Sequence, residues 1–311
     1  MSFAVQQHHV LQFSTNVEHV LQQSGMRLAP LCRQGRYTGK AGVMLDLIGQ
    51  TTAQRNRSRH ADTPLISIPG DRRWVFPQSY THAELIDNLD ITRMLLDPKS
   101  SYAEAQANAI GRGADDEVGA AFFGASLTGE NGTVSVTFPG AQQVGVNVGG
   151  ASSGLNVPKL RAARRALMAT GMDMARDKSY VAISAVEHDN LLGELQVTSV
   201  DYNEKPTLVE GRVMQFMGFN FVHVEWNAYN GTVPVYPLSQ PSILPGGSGS
   251  TLRNIPAWVE SGMHFGRWGD MVNRVDQRPD KNYNTQVFAE LICGASRTQE
   301  GKVVQIACNS A

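Results

Sequence analysis

The spacing of apolar residues changes along the chain, and each change marks an expected element. Residues 1–41 keep neither a helical nor a strand period and read as an extended arm. Residues 42–80 read as a long hairpin. Its middle, residues 51–60, is polar, and Arg55, Arg57 and Arg59 recur at a period of two, which in a strand places three guanidinium groups on one face. Apolar residues return between Pro64 and Pro69 and again at Trp74, Val75 and Phe76. A strand-like stretch this polar fits a hairpin projecting from the body better than a strand inside a core.

Residues 81–124 are predicted to be helical. Thr81 and Glu84 have capping-box spacing, Leu85, Ile86, Leu89, Met94 and Leu95 form an apolar stripe, and Pro98 ends it. Ser101 and Glu104 then start a second helix that runs toward Gly124. Its alanines, among them Ala103, Ala107, Ala114 and Ala121, favour helix and allow close neighbours, while Gly111 and Gly113 each weaken it by about 1 kcal/mol. Val134, Val136 and Phe138, then Val144, Val146 and Val148, predict a strand pair around Pro139-Gly140. A helix is expected from Pro158 through Leu160, Ala163, Leu167 and Met168 to a stop at Gly171. A short buried strand at 180–183 precedes a helix capped by Ser184 and Glu187 and running through Leu191, Leu192 and Leu195. Strands follow over 208–224, broken at Gly211 and Gly218, and a strand-rich end covers 258–275 and 286–308 with a turn near Glu300 and Gly301. Residues 227–252 carry no charge and are rich in Pro, Gly and Ser, which marks a long loop or inserted flap, compatible with a subunit contact or an exposed tip. No internal repeat is visible.

Composition narrows the function classes. A chain of 311 residues makes one large domain or two modest ones, and 41% hydrophobic residues support a sizeable core. Charged residues make up 18%, below the roughly 25% usual for soluble domains, so much of the surface is neutral or buried between subunits. A net charge of -1 argues against a nucleic-acid binder with a strong overall basic field. No apolar run reaches the ~18 residues of a membrane helix, and the first twenty residues lack the basic start and apolar stretch of an export signal. Cys32, Cys293 and Cys308 are too few and too scattered for a disulfide framework or a structural zinc site, so free thiols in a reducing cytoplasm are expected. The charge is unevenly placed: residues 1–80 carry a net of +5 and residues 81–311 a net of -6. Ordinary solvated faces account for this, and so does a basic arm lying on the acidic body of another copy or on an acidic partner.

Motifs that could carry chemistry are sparse. Gly150-Ala151-Ser152-Ser153-Gly154 matches the G-x-S-x-G nucleophile elbow, with Asp189 and His264 following in the order a Ser152-dependent hydrolase needs. The glycine-rich connector, with its helix expected only at Pro158, reads instead as a flexible loop. Tyr37-Thr38-Gly39-Lys40 resembles part of a phosphate loop, but Gln34 stands where the first glycine is required. His8-His9 reads as polar residues of the arm rather than a metal site, and Asp115-Asp116-Glu117, pointing in different directions on a helix, as a solvated or interface face.

The order of elements resembles that of the major capsid proteins of tailed bacteriophages: basic arm, long hairpin, short helix, alanine-rich long helix, α/β region and final strands. The likeness is sharpest in Asp71-Arg72-Arg73-Trp74-Val75-Phe76-Pro77, which resembles the return strand of the hairpin in that family. Gly154-Leu155-Asn156-Val157 ahead of Lys159-Leu160-Arg161 is similar, as are His188-Asp189-Asn190-Leu191-Leu192, Phe216-Met217-Gly218-Phe219-Asn220-Phe221, and Gly262-Met263-His264 with Gly266 and Trp268. The resemblance implies an α+β chain with the Hong Kong 97-like fold. Residues 1–41 would be the N-terminal arm, 42–80 the E-loop, 81–149 the peripheral domain with its spine helix over 101–124, 150–268 the axial domain with 227–252 as an uncharged loop or insertion, and 269–311 the return strands of the peripheral domain. It implies a shell subunit with no catalytic residue, cofactor or metal, forming hexamers and pentamers of an icosahedral head around double-stranded DNA. A portal, a packaging motor and a possible decoration protein belong to such a head, assembly takes place in the host cytoplasm, and no membrane is involved. No long helical leader precedes the arm, so a separate scaffolding protein is expected. The encapsulin-like nanocompartment shell, with the same fold, is the alternative.

Residue chemistry fits a shell. Extended arms cross neighbours, small residues sit where helices meet, and many modest contacts add up in a closed lattice. Inter-subunit contacts are expected between Arg55, Arg57, Arg59, Arg72 and Arg73 and the carboxylates of Asp87, Asp90, Asp115, Asp116 and Glu117. Some relatives of this family join lysine to asparagine across subunits, and that chemistry needs a lysine on the hairpin. Residues 47–77 contain arginine but no lysine, and a guanidinium stays protonated and is a poor nucleophile. Assembled particles are therefore expected to run as a monomer band on denaturing gels; a reductant-resistant ladder would contradict this.

Overall fold

The computed structural model describes residues 24–53, 55, 65–87, 99–150, 152–173, 176–194, 197, 208–209, 212–225 and 252–309. After a 3-10 turn at Ala29–Leu31 come β1 (Arg33–Arg36), β2 (Gly42–Ile48), β3 (Gly70–Val75), β4 (Gln78–Ile86) and the long helix α1 (Lys99–Phe123). Next are β5 (Ser126–Thr128), β6 (Val134–Val136), β7 (Gln143–Val144), α2 (Val157–Ala169), β8 (Ser179–Ile183) and α3 (Ala185–Leu192). Four short strands follow, β9 (Leu208–Val209), β10 (Arg212–Val213), β11 (Gln215–Phe216) and β12 (Phe219–His223). The chain ends with β13 (Leu252–Val259), β14 (Met263–Arg267), β15 (Val272–Arg278), β16 (Asn284–Arg297) and β17 (Val303–Asn309).

Four sheets organise these strands, the smallest being the antiparallel pair β9-β10. A six-stranded sheet has the order β11-β12-β8-β13-β17-β7. A five-stranded sheet is built on β16, with β4 along one side and β14 and β15 along the other, and β1 added in parallel to β14. A four-stranded sheet, β2-β3-β5-β6, carries the hairpin.

Two hydrophobic cores lie on opposite faces of β8 and β13. Val181 and Ala257 point into a core with Leu160, Ala163 and Leu167 of α2 and Leu191 of α3. Their sequence neighbours Ala182 and Trp258 point the other way, into a core with Ile110, Ala114, Val118 and Phe122 of α1. Successive strand residues face opposite sides, so a strand covered on both faces must be apolar at every position, as Val181, Ala182 and Ile183 are. On α1 the buried residues recur every fourth position and form one stripe. Trp258 is fully buried with its ring 4.8 Å from that of Phe122 and 5.7 Å from that of Tyr180.

The helix boundaries follow local chemistry. The Asn156 side chain accepts the Lys159 N–H at 3.0 Å with Pro158 in the first turn, which starts α2. Ser184 and Glu187 make the capping box of α3. The long helix, β8, the short strands around Gly218 and the turn at Glu300–Lys302 also lie where the pattern places them.

Other expectations are corrected. Residues 78–86 form β4, not the start of a helix. They pair with β16 over nine positions, Gln78↔Cys293 to Ile86↔Thr285, and this ladder overrides the local capping signal of Thr81 and Glu84. The two valine runs do not pair with each other. β6 pairs with β5, and β7 lies parallel to β17, with a 3-10 turn at Gly140–Gln142 between them. The boundary expected at residue 268 also moves: β14 belongs to the sheet of β16, and β17 returns to the six-stranded sheet beside β13. Residues 227–251 lie outside the described residues.

Candidate assembly surface

The hairpin legs pair from Gly42↔Val75 to Ile48↔Gly70, with an irregularity between Val43 and Leu45. Asp46 and Arg72 are opposite each other, and the Arg72 Nε lies 2.7 Å from the Asp46 carboxylate. Both are exposed, so the pair aligns the legs more than it stabilises them. Asp71 accepts a hydrogen bond from the Thr128 hydroxyl, which holds its carboxyl below the usual range, and the Trp74 indole N–H donates to the Gly129 carbonyl at 2.7 Å. Toward the body the hairpin is anchored by buried charge. Arg73 is 5% exposed and its Nη2 lies 2.8 Å from Glu300, on the turn between β16 and β17. Farther out the hairpin shows aliphatic residues to solvent: Ile48 is 81% and Leu65 96% exposed, and Ile66 and Ile68 are also exposed.

The other end of the root is an aromatic clamp. Tyr37, between β1 and β2, packs against Trp268 and donates to or accepts from His264 Nε2 at 2.7 Å. Gly42 and Gly266 leave room for its ring, since a Cβ at either would come within 3 Å of it. Burial, with the Arg33 charge adding, lowers the His264 pKa from 6.5 to about 4.

Two carboxylates of α1, Asp115 and Glu117, are turned toward the rest of the chain. Asp115 is 2% exposed and accepts the backbone N–H groups of Arg27, Leu28 and Ala29 at 2.7, 2.8 and 3.2 Å. Glu117 accepts the Tyr80 hydroxyl at 2.8 Å, and burial raises its pKa. These residues tie the N-terminal segment and β4 to the helix, which corrects the expectation of a solvated or interface face at Asp115; Asp116 and Glu117 are half-buried. Asp87 is exposed but lies just beyond β4 and not on a helix, while Arg57, Arg59 and Asp90 lie outside the described residues; Arg55 is exposed. Arg73, expected at a subunit contact, is buried within its own chain.

Arg297 went unnoticed in the sequence. It is fully buried, and its Nη1 donates to the carbonyls of Ala121, Phe122 and Gly124 at the C-terminus of α1, while the guanidinium stacks on Phe138 at 5.3 Å. A cation there satisfies the free carbonyls and the negative end of the helix dipole. Burial lowers its pKa to about 10, so it stays charged near neutrality. An arginine ending an apolar strand carries no sequence signal for this role.

The sequence profile described as phage capsid protein matches residues 5–310. The chain belongs to the phage capsid protein family. Solved structures agree on the fold, which is Hong Kong 97-like. The capsid of cyanophage P-SCSP1u superposes with a TM-score of 0.74 at 13% identity, covering 100% of this chain and 96% of that one. The head of Helicobacter pylori bacteriophage KHP40 gives 0.70 at 9% identity with 100% and 99% covered, and the capsid of cyanophage Pam1 gives 0.68 at 13% with 100% and 99% covered. No curated protein matches the chain in sequence. A capsid subunit is a structural component of the virion that self-associates into a shell.

In this capsid subunit the residues of the suspected elbow do structural work. Ser152 has φ +48°, and its hydroxyl accepts the Asn309 side-chain N–H at 2.9 Å, joining the loop to the end of β17. The helix begins at Val157 rather than directly after the serine, Asp189 is exposed on α3, and His264 is held by Tyr37. The fully buried Lys159 donates its ammonium to the Ser153 and Gly154 carbonyls, which fixes the loop. All three cysteines are free and buried, and burial raises the thiols of Cys293 and Cys308 to about 12. Among the described residues no cluster of His, Cys, Asp and Glu has the arrangement to hold a metal.

Two outcomes follow from this geometry. Asp115→Ala strands three N–H groups, two of them on fully buried residues, and is expected to lower unfolding free energy by on the order of 3 kcal/mol in denaturant titrations, with Asp115→Asn recovering part of it. The unfolded chain protonates His264 near 6.5 and the folded chain only near 4, so this group's stabilisation is complete above 6.5 and is lost as pH falls from 6.5 to 4. The loss is about 3 kcal/mol at most, and His264→Gln is expected to flatten that part of the stability profile.

Proposed function

We propose that this subunit is the major capsid protein of an icosahedral phage head, arranged as hexamers and pentamers around double-stranded DNA. The family match over residues 5–310 carries the reading. The hairpin of β2 and β3 then serves as the E-loop, residues 1–41 as the arm, α1 as the spine of the peripheral domain with β4, β15 and β16, and the six-stranded sheet with α2 and α3 as the axial domain. The exposed aliphatic residues of the hairpin support this, because Ile48, Leu65, Ile66 and Ile68 gain from being covered by a neighbour. Arg55, Arg57 and Arg59 would meet carboxylates of that neighbour, with Asp87, Asp90 and Asp116 as candidates now that Asp115 is turned inward. A scaffolding protein, a portal and a decoration protein complete the proposed set of partners, and assembly is placed in the host cytoplasm.

Purified protein, alone or with its scaffold, is expected to give shells or capsomers in negative-stain images, and Ser152→Ala is expected to assemble equally well. Arg57→Glu should lower the yield of empty shells and Asp87→Arg should restore part of it. A protein that stays monomeric in light scattering with scaffold present would sink the shell reading, and a normal empty-shell yield for Arg57→Glu would remove the charge contact.

A further inference from the structure

The outer side of β1 is an open sheet edge inside a basic groove. β1 pairs in parallel with β14 from Arg33↔His264 to Arg36↔Arg267, and the Tyr37 N–H continues that ladder to the Arg267 carbonyl at 2.9 Å. Backbone groups of a strand in a parallel pair alternate between the two sides, so Arg33, Gly35 and Tyr37 face β14 while Gln34 and Arg36 face outward. No described strand pairs with that outer side. Two depressions of about 470 and 550 Å³ flank the edge and share Pro30 and Gln34. Arg36 and Arg267 line the first; Arg33, Arg176 and Lys178 bring cations to the second, against Asp177 and Glu260. Arg36 is paired with Asp270 at 2.8 Å, but both side chains are more than 70% exposed, so the contact exchanges readily.

We infer that this groove docks an extended acidic segment of a second protein, which adds a strand to β1 and sets its carboxylates against the flanking cations. Strand addition uses the outward N–H and C=O of Gln34 and Arg36 for affinity and the side pockets for selection. The outward carbonyls disfavour a phosphate backbone, which brings acceptors and no donors, whereas an extended peptide brings N–H groups to meet them. Another copy of this chain is a poorer source. Its only run of consecutive carboxylates, Asp115-Asp116-Glu117, is held in α1 and partly buried. The inference goes beyond the shell role, since nothing in shell formation requires this groove to be filled by a different chain.

The full-length protein, as soluble subunits and as assembled particles, would be titrated with a fluorescent peptide of alternating Glu and Val, its Lys-Val counterpart and a short DNA duplex, with binding read by anisotropy. The Glu-Val peptide is expected to bind, more weakly at high salt, and the Lys-Val peptide not to bind. Lys178→Glu, at an exposed site outside the sheets, and Arg33→Glu are each expected to weaken it about tenfold. Gln34→Pro removes an outward N–H and no charge and should weaken it too, whereas a loss confined to the charge variants would overturn strand addition. Circular dichroism checks that each variant is folded. Absence of Glu-Val binding, or duplex binding of equal strength lost in the same variants, would overturn the inference. So would a cross-link from position 34 to another copy in particles that blocks the peptide.

Discussion

The structure depends on covering both faces of β8 and β13. Val181 and Ala257 seal one core, Ala182 and Trp258 the other, so the middle of this strand pair is apolar on both sides. The α1 helix can be long because this sheet and β16 supply it with an apolar surface. The two parts of the subunit are thereby joined through shared strands rather than a linker. A deformation of one core is transmitted to the other through side chains of adjacent residues, since close-packed interiors transmit strain.

Buried polar groups then fix what packing alone leaves loose. Asp115 gathers the backbone of residues 27–29, Arg297 closes the C-terminus of α1, Lys159 holds the loop before α2, and Arg73 with Glu300 sets the hairpin root. All but the local Lys159 contact join segments far apart in sequence. Ion pairs and hydrogen bonds of this kind add little net stability compared with apolar packing, but breaking one leaves an uncompensated buried group. They therefore select one relative placement of arm, hairpin and helix, which a subunit that must fit many neighbours needs. The surface shows the converse: the aliphatic residues of the hairpin and β15, exposed at every position, remain uncovered in the single chain.

The glycines of α1 show how a sequence signal can be read correctly and still leave out its cause. Gly111 and Gly113 lower helix propensity, yet a Cβ at Gly113 would come 2.9 Å from the Tyr80 ring and one at Gly111 would come 3.0 Å from the backbone of Gly25. The local penalty allows β4 and the N-terminal segment to lie against the helix. In the same way, Thr81 and Glu84 have the residue types of a helix cap, and only the existence of β16 turns them into a strand.

The sequence by itself determined the elements whose cause is local. Those are the helix of residues 99–123, the capped starts of α2 and α3, the hairpin legs and the apolar run of β8, because periodicity and caps act within a few residues. The element order was enough to carry the family resemblance. Only the tertiary structure decided that residues 78–86 are a strand, that β14 and β17 exchange sheets across the expected boundary, and that Asp115 and Arg73 are interior. The reason is that strand partners and the burial of a charge depend on residues tens to hundreds of positions away, and no local pattern records which distant backbone or carboxylate will be there.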